Sequence, residues 1–244
     1  MDFSIKKPTH IFALLVLLFT LFLLILFPIL SFFGAFPSAQ DIELSEPLIM
    51  IGSIITIIIF IGTPFVWYLL VNELSIQEML SNLKIKKQGL DIALAWAITI
   101  VIIMFAIMFV IGLILYQQGV VEEETTNIQE LASNLSLISM LFIVVFQSTT
   151  EEIFFRGFLL DKLNSLAGKE IAIITTAILF GMAHLSYGKI YPAIMTGVFG
   201  ILLGYIVMKT KNLNTAIIAH ILFNITSFAL YIASQSLNLE SLIL

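Results

Sequence analysis

The chain has 244 residues, 60% of them hydrophobic and only 11% charged, with a formal charge of -5 and a mean hydropathy of +1.10. That balance excludes an ordinary soluble core and, with no basic patch, a nucleic-acid partner. The complete lack of cysteine excludes disulfides, thiolate catalysis, cysteine-ligated zinc and prenylation or palmitoylation of the chain itself.

Runs of about 20 apolar residues, the length that crosses ~30 Å of hydrocarbon, predict an all-α polytopic membrane protein. Seven spans cover approximately 11–33, 48–71, 91–116, 135–161, 170–186, 190–208 and 213–236. The count becomes eight if "VVEEETTNIQELASN" holds a re-entrant piece. The first span follows Lys6 and Lys7 as a signal peptide would, but its apolar stretch is long and "FPSAQD" is a poor cleavage site, which favours a retained anchor. His10, beside Lys7, reads as a solvated interfacial residue. After the second span, "SIQEMLSNL" carries a capping box, Ser75 with Glu78, and apolar Ile76, Met79, Leu80 and Leu83 at helical spacing. It is expected to lie along the inner interface.

With the N-terminus inside, nine of the ten lysines fall on the inner side: Lys6, Lys7, Lys84, Lys86, Lys87, Lys162, Lys169, Lys209 and Lys211, with only Lys189 outside. Positive charge flanking spans on one side marks that side as cytoplasmic, and the outer segments "AQDIELSEP" and "VVEEETTNIQE" are acidic. There is no internal repeat. Residues 1–133 read as accessory spans with the interfacial helix, and 134–238 as a core of four spans within one continuous membrane domain.

The division rests on where polarity falls. The first three spans have no ionisable side chain in their interiors, whereas the last four hold Glu151, Glu152, Arg156, His184, His220 and Asn224. Glu152 and Arg156 are four apart with the acid first, the favourable order for a pair on one helical face, while Glu151 points about 100° away. Each charge near a span centre costs roughly 2.5 to 3.5 kcal/mol, so pairing alone leaves Glu151 in need of a partner. At 1.5 Å per residue from the nearest inner lysine, Glu151 lies about 16 Å deep, His184 about 22 Å and His220 about 13 Å. Three spans thus bring a carboxylate and two imidazoles to similar depth. His220 and Asn224 share a helical face, Phe180 lies one turn before His184, and Gly181 permits close helix approach. Gly197, Gly200 and Gly204 read as a close-packing stripe.

The E-E-x-x-x-R of "EEIFFR", the F-x-x-x-H of "FGMAH" and the H-x-x-x-N of "HILFN", in that order on successive spans, resemble the CAAX prenyl protease and bacteriocin-processing family of intramembrane endopeptidases. The resemblance implies hydrolysis of a peptide bond near the C-terminus of a membrane-presented, prenylated protein. It implies Glu151 as the general base, His184, His220 and Asn224 as holders of the attacking water or the oxyanion, and Glu152 with Arg156 as supporting residues. The implied partners are a peptide or protein substrate and the lipid bilayer.

Two histidines and a glutamate also form a ligand set known from catalytic zinc sites, here Glu151, His184 and His220. Asn224 is foreign to such a set, because amide oxygens are poor zinc ligands but good hydrogen-bond partners. The expectation is therefore no cofactor, with a divalent metal such as zinc as the alternative. No H-E-x-x-H, no G-x-S-x-G and no G-x-G-D occurs to suggest another protease chemistry. The rival readings are a proton-coupled transporter using the buried carboxylate, and a non-catalytic scaffold or immunity protein with the same fold.

Overall fold

The structure, a computed structural model, describes residues 3–35, 45–86, 88–119, 135–187 and 189–236. Lys87, the segment "VVEEETTNIQE" with its re-entrant reading, and most of the first outer loop lie outside them. The described residues are helical, with no strand among them.

Helix α1 runs Pro8–Phe32, its start set by a proline in the first turn, where the missing N–H costs nothing. Helix α2 is Glu46–Leu70 and the short α3 is Ile76–Asn82. Helix α4 is Leu90–Gln117, entered through Gly89 in the left-handed region. Helix α5 spans Leu137–Ala167, α6 Lys169–Ala183 with a tighter turn over His184–Tyr187, α7 Ile190–Thr210 and α8 Leu213–Ser236.

Six of these, all but α3 and α6, are long and apolar enough to cross a membrane. The segment expected as the fifth span is α6, whose 15 residues reach only about 22 Å at 1.5 Å per residue. Two local features shorten it. Gly168, at φ +85°, breaks the chain between α5 and α6 without a loop, so α5 continues to Ala167 instead of ending near 161. At the other end the α-helix gives way at His184 to the tighter turn.

The capping box of α3 forms as expected: Glu78 accepts from the Ser75 backbone N–H at 2.8 Å, and Ser75 Oγ caps the Glu78 N–H. Met79 and Leu83 turn into the protein, and Ile76 and Leu80 stay exposed. Around this helix the lysine-bearing ends meet. Lys7 pairs with Glu73 at 3.2 Å, Lys84 with Asp161 at 2.6 Å, Lys162 donates to Asn72 at 3.2 Å, and Lys209 lies over Trp96 at 4.4 Å. The Leu213 N–H donates to the Lys84 carbonyl and Asn214 to that of Lys86, tying the start of α8 to the α3–α4 connection. At the far end Ser136 donates to Glu46, latching α5 to α2.

His10 departs from its expected place. It is fully buried: its Nδ1 accepts from the Ser4 backbone N–H at 3.0 Å, and Phe3 packs against both the imidazole and Trp67. The residues before α1 fold back over it, something a composition-based reading of an N-terminal segment has no means of detecting.

The core is aromatic along α2 and α5, with Phe60, Trp67, Tyr68, Phe154, Phe155 and Phe158 buried, and glycine-lined between α6 and α7. A Cβ on Gly181 would stand 2.5 Å from the Ala193 carbonyl oxygen, and one on Gly200 would stand 3.0 Å from Ala177 Cα. Backbones this close explain the glycine stripe and fix α6, although short, firmly against α7.

Candidate active site

The middle of α5 is irregular. Two π-helical segments, Ile143–Gln147 and Ile153–Leu159, bracket a short α-helical stretch, Ser148–Glu152. Such segments shift the phase of a helix and concentrate at functional sites. Thr149 donates to the Val145 carbonyl at 2.6 Å and Thr150 to that of Gln147 at 3.0 Å, so the hydroxyls of "TTEE" are satisfied along the helix itself. Adjacent carboxylates follow, both buried: Glu152 is 0% exposed and Glu151 7%.

Glu152 is held from two sides. Its Oε1 accepts from Arg156 Nη1 at 2.9 Å, one turn on, and from His220 Nδ1, also at 2.9 Å, across the α5–α8 contact. A carboxylate can only accept, so Nδ1 carries the proton and a neutral His220 presents its Nε2 as a lone pair. The guanidinium is fully buried with its Cζ 4.2 Å from the centroid of Phe180, a cation–π contact in a dry setting. Its Nε and Nη2, and Glu152 Oε2, have no hydrogen-bond partner among the described residues.

Glu151 is held on one side only. Oε1 accepts from Gln147 Nε2 at 3.0 Å, and Oε2 stands 3.9 Å from His220 Nε2. That gap is too long for a direct hydrogen bond and suits a bridging water. His220 is therefore shared by the two glutamates, one on each ring nitrogen.

His184 lies half-buried where α6 ends. Its Nδ1 donates to the Phe180 carbonyl at 2.7 Å, so in the neutral ring Nε2 is again the unprotonated nitrogen. Phe180 separates the histidines, edge-on to His184 at 4.7 Å and to His220 at 5.9 Å, and Phe199 closes the other side of His220 at 5.6 Å. Glu151, His220 and Arg156 all lie within electrostatic reach of His184. Asn224 is held by Ser148, its Nδ2 donating to Ser148 Oγ at 2.9 Å.

Glu151, Glu152, Arg156 and His220 thus form one contact chain, with His184 joined through Phe180 and Asn224 through Ser148. The possible ligand set fits a metal less well. Among the described residues no group of three His, Asp or Glu side chains stands close enough to hold an ion, and His220 Nδ1 is already engaged by Glu152.

A family model described as "Rce1-like: Type II CAAX prenyl endopeptidase Rce1-like" matches residues 133–226, a stretch that contains all six of these side chains. Over that stretch the chain is similar to the CAAX prenyl endopeptidase family. No curated protein and no solved structure matches the chain. The family is one of CAAX-type intramembrane proteases, and with six apolar helices of membrane-crossing length the chain is an integral membrane protein.

Three residues of this candidate site are not singled out by the sequence: Gln147, Ser148 and Phe199. Gln147 and Ser148 close the apolar run "LISMLFIVVF" one turn ahead of the two glutamates, and that spacing was the available signal. Phe199 offered none, because its contact with His220 depends on how α7 meets α8.

Proposed function

We propose that this protein is an intramembrane endopeptidase of the CAAX-processing type, with Glu151 as the general base. The observation that carries the reading is the asymmetry between the adjacent glutamates. Glu152 is committed through Oε1 to Arg156 and His220, whereas Glu151 keeps one oxygen turned towards His220 Nε2 across 3.9 Å. A water between them would donate one proton to Glu151 and be oriented by the lone pair of His220. As its oxygen bonds to the scissile carbonyl carbon, the proton passes to Glu151. The C–N bond then breaks and the same proton goes to the leaving amine.

Asn224, through its second amide N–H, and His184, when protonated at Nε2, would donate to the oxygen of the tetrahedral intermediate. Glu152 and Arg156 orient the imidazole and do not exchange protons with substrate. The substrate is a membrane-presented protein cut near a prenylated C-terminus, with its lipid in the hydrocarbon. The lysine-rich end would face the cytoplasm, and with it the N-terminus.

The test is hydrolysis of a fluorogenic farnesylated CAAX peptide by the purified protein in lipid, with and without a zinc chelator. Glu151→Ala should lower the rate by about 10²- to 10⁴-fold, the usual contribution of a positioned base, while membrane insertion is retained. Activity that survives the chelator supports the glutamate mechanism, and activity lost to it supports a metal. Full proteolysis by Glu151→Gln would remove Glu151 from the role. Proton-coupled flux dependent on Glu151, without peptide cleavage, would instead favour a transporter.

A further inference from the structure

A glutamine at the end of an eleven-residue stretch that is otherwise nearly all apolar is costly unless its amide is satisfied. Gln147 is the last residue of the first π-helical segment. Its carbonyl accepts from Thr150, and its side chain runs along α5 to Glu151, with Nε2 3.0 Å from Oε1. The torsion that turns a glutamate carboxylate is soft, so by itself Glu151 would sample many orientations. With Oε1 engaged by the amide, Oε2 is the oxygen presented to His220 Nε2. The amide does this without adding charge, which a lysine at the same position could not do.

We propose that Gln147 is a positioning residue for Glu151, setting which carboxylate oxygen faces His220 and hence where the attacking water is held. This rests on Glu151 being the general base. Gln147 itself stays out of the chemistry, and its effect is exerted wholly through the carboxylate it holds. Ser148, the next residue, engages Asn224 in a parallel way, so the two residues ahead of "TTEE" each hold one polar group of the site.

Two measurements on the full-length protein in lipid test it. In the first, glutamine side chains are labelled with ¹⁵N and the Gln147 resonance is assigned by its loss in Gln147→Met. A wild-type resonance that shifts and exchanges faster in Glu151→Ala supports the hydrogen bond. A resonance unchanged by Glu151→Ala overturns the proposal, whatever the protein hydrolyses. In the second, kinetics on the farnesylated peptide compare wild type with Gln147→Met and Gln147→Glu, both close in volume to glutamine. Misplacing a reacting group should lower kcat by roughly 10- to 100-fold with KM little changed. Gln147→Glu should be as poor at neutral pH and recover as pH falls, because only its protonated carboxyl can donate to Glu151. Wild-type kcat in Gln147→Met, or a rise in KM alone, would overturn the positioning role. If the wild type cleaves nothing, the endopeptidase reading fails while the resonance still decides whether Gln147 holds Glu151.

Discussion

The two halves of the molecule solve the membrane problem differently. Helices α1, α2 and α4 bury only 22%, 17% and 17% of their most apolar stretch, against 39% and 44% for α5 and α7. The N-terminal helices offer mostly lipid-facing apolar surface; among the described residues α1 and α2 share a neutral 2.6 Å hydrogen bond between Thr20 and Thr63, and the charged Lys7–Glu73 pair lies outside their apolar stretches. The C-terminal half instead surrounds a fully buried ion pair with α6, α7 and α8. Burial in a bilayer is thus concentrated where charge must be kept from lipid, because apolar side chains gain little by leaving hydrocarbon for protein. Helix α8 shows the rule from the other side. Its overall burial is only 17%, yet its inward face carries Thr215, Ala216, Ala219 and His220.

The strongest way to break this comparison is to strand one member of the buried pair. Arg156→Ala leaves Glu152 buried with only His220, and should cost about 3 to 5 kcal/mol together with activity, as removal of one partner of a buried ion pair does. Glu152→Ala should behave alike, and denaturant titration in mixed micelles measures both. A smaller effect follows from the same substitution placed in each half. Gly181→Ala drives a Cβ to 2.5 Å from the Ala193 carbonyl and should destabilise by roughly 1 to 3 kcal/mol. Gly62→Ala in α2 meets nothing within 4 Å and should be neutral or stabilising by about 0.5 to 1 kcal/mol. Equal costs at the two sites would show that the halves are packed alike.

Thr63→Val removes the hydroxyl pair between α1 and α2 and should cost about 0.6 kcal/mol, the average for hydrogen bonds between membrane helices, with peptide cleavage unaffected. The smallest effect lies outside the bilayer, in α3. Hydrogen bonds from Ser75 hold the Glu78 carboxyl below its usual range. A carboxyl lowered on folding contributes stability above its unfolded value and loses it as pH falls through the folded value. Amide protection in α3 should therefore fade in that acid window, and in Glu78→Gln it should show no such dependence.

Much of the site was readable because membrane helices are long and regular enough for spacing to carry meaning. Glu152 and Arg156 at four residues, and histidines at matching depth on two further segments, pointed to one cluster. The details that failed depend on contacts between helices. That His220 joins the two glutamates, Glu152 through Nδ1 and Glu151 across 3.9 Å from Nε2, follows from how α8 meets α5 and has no trace in spacing. Gln147 and Ser148 stand four residues ahead of the two glutamates, a spacing that carried the signal but that neutral side chains at the end of an apolar run make easy to pass over. His10 is buried by Phe3 and Ser4, residues that precede the helix and whose return over it leaves no periodic trace.

The π-helical segments have a further consequence for how this chain can change. Each holds one more residue than an α-helix needs to join the same two ends, since its hydrogen bonds close over five residues instead of four. Removing one residue between Ile143 and Gln147 would let that part of α5 close into a regular α-helix while Leu137–Phe142 and the glutamates keep the faces they now present. The same deletion within Ser148–Glu152 would turn one side of the helix by about 100° against the other. The helix that carries the two carboxylates thus has a surplus residue beside them, so the site and the length of its own scaffold can vary independently.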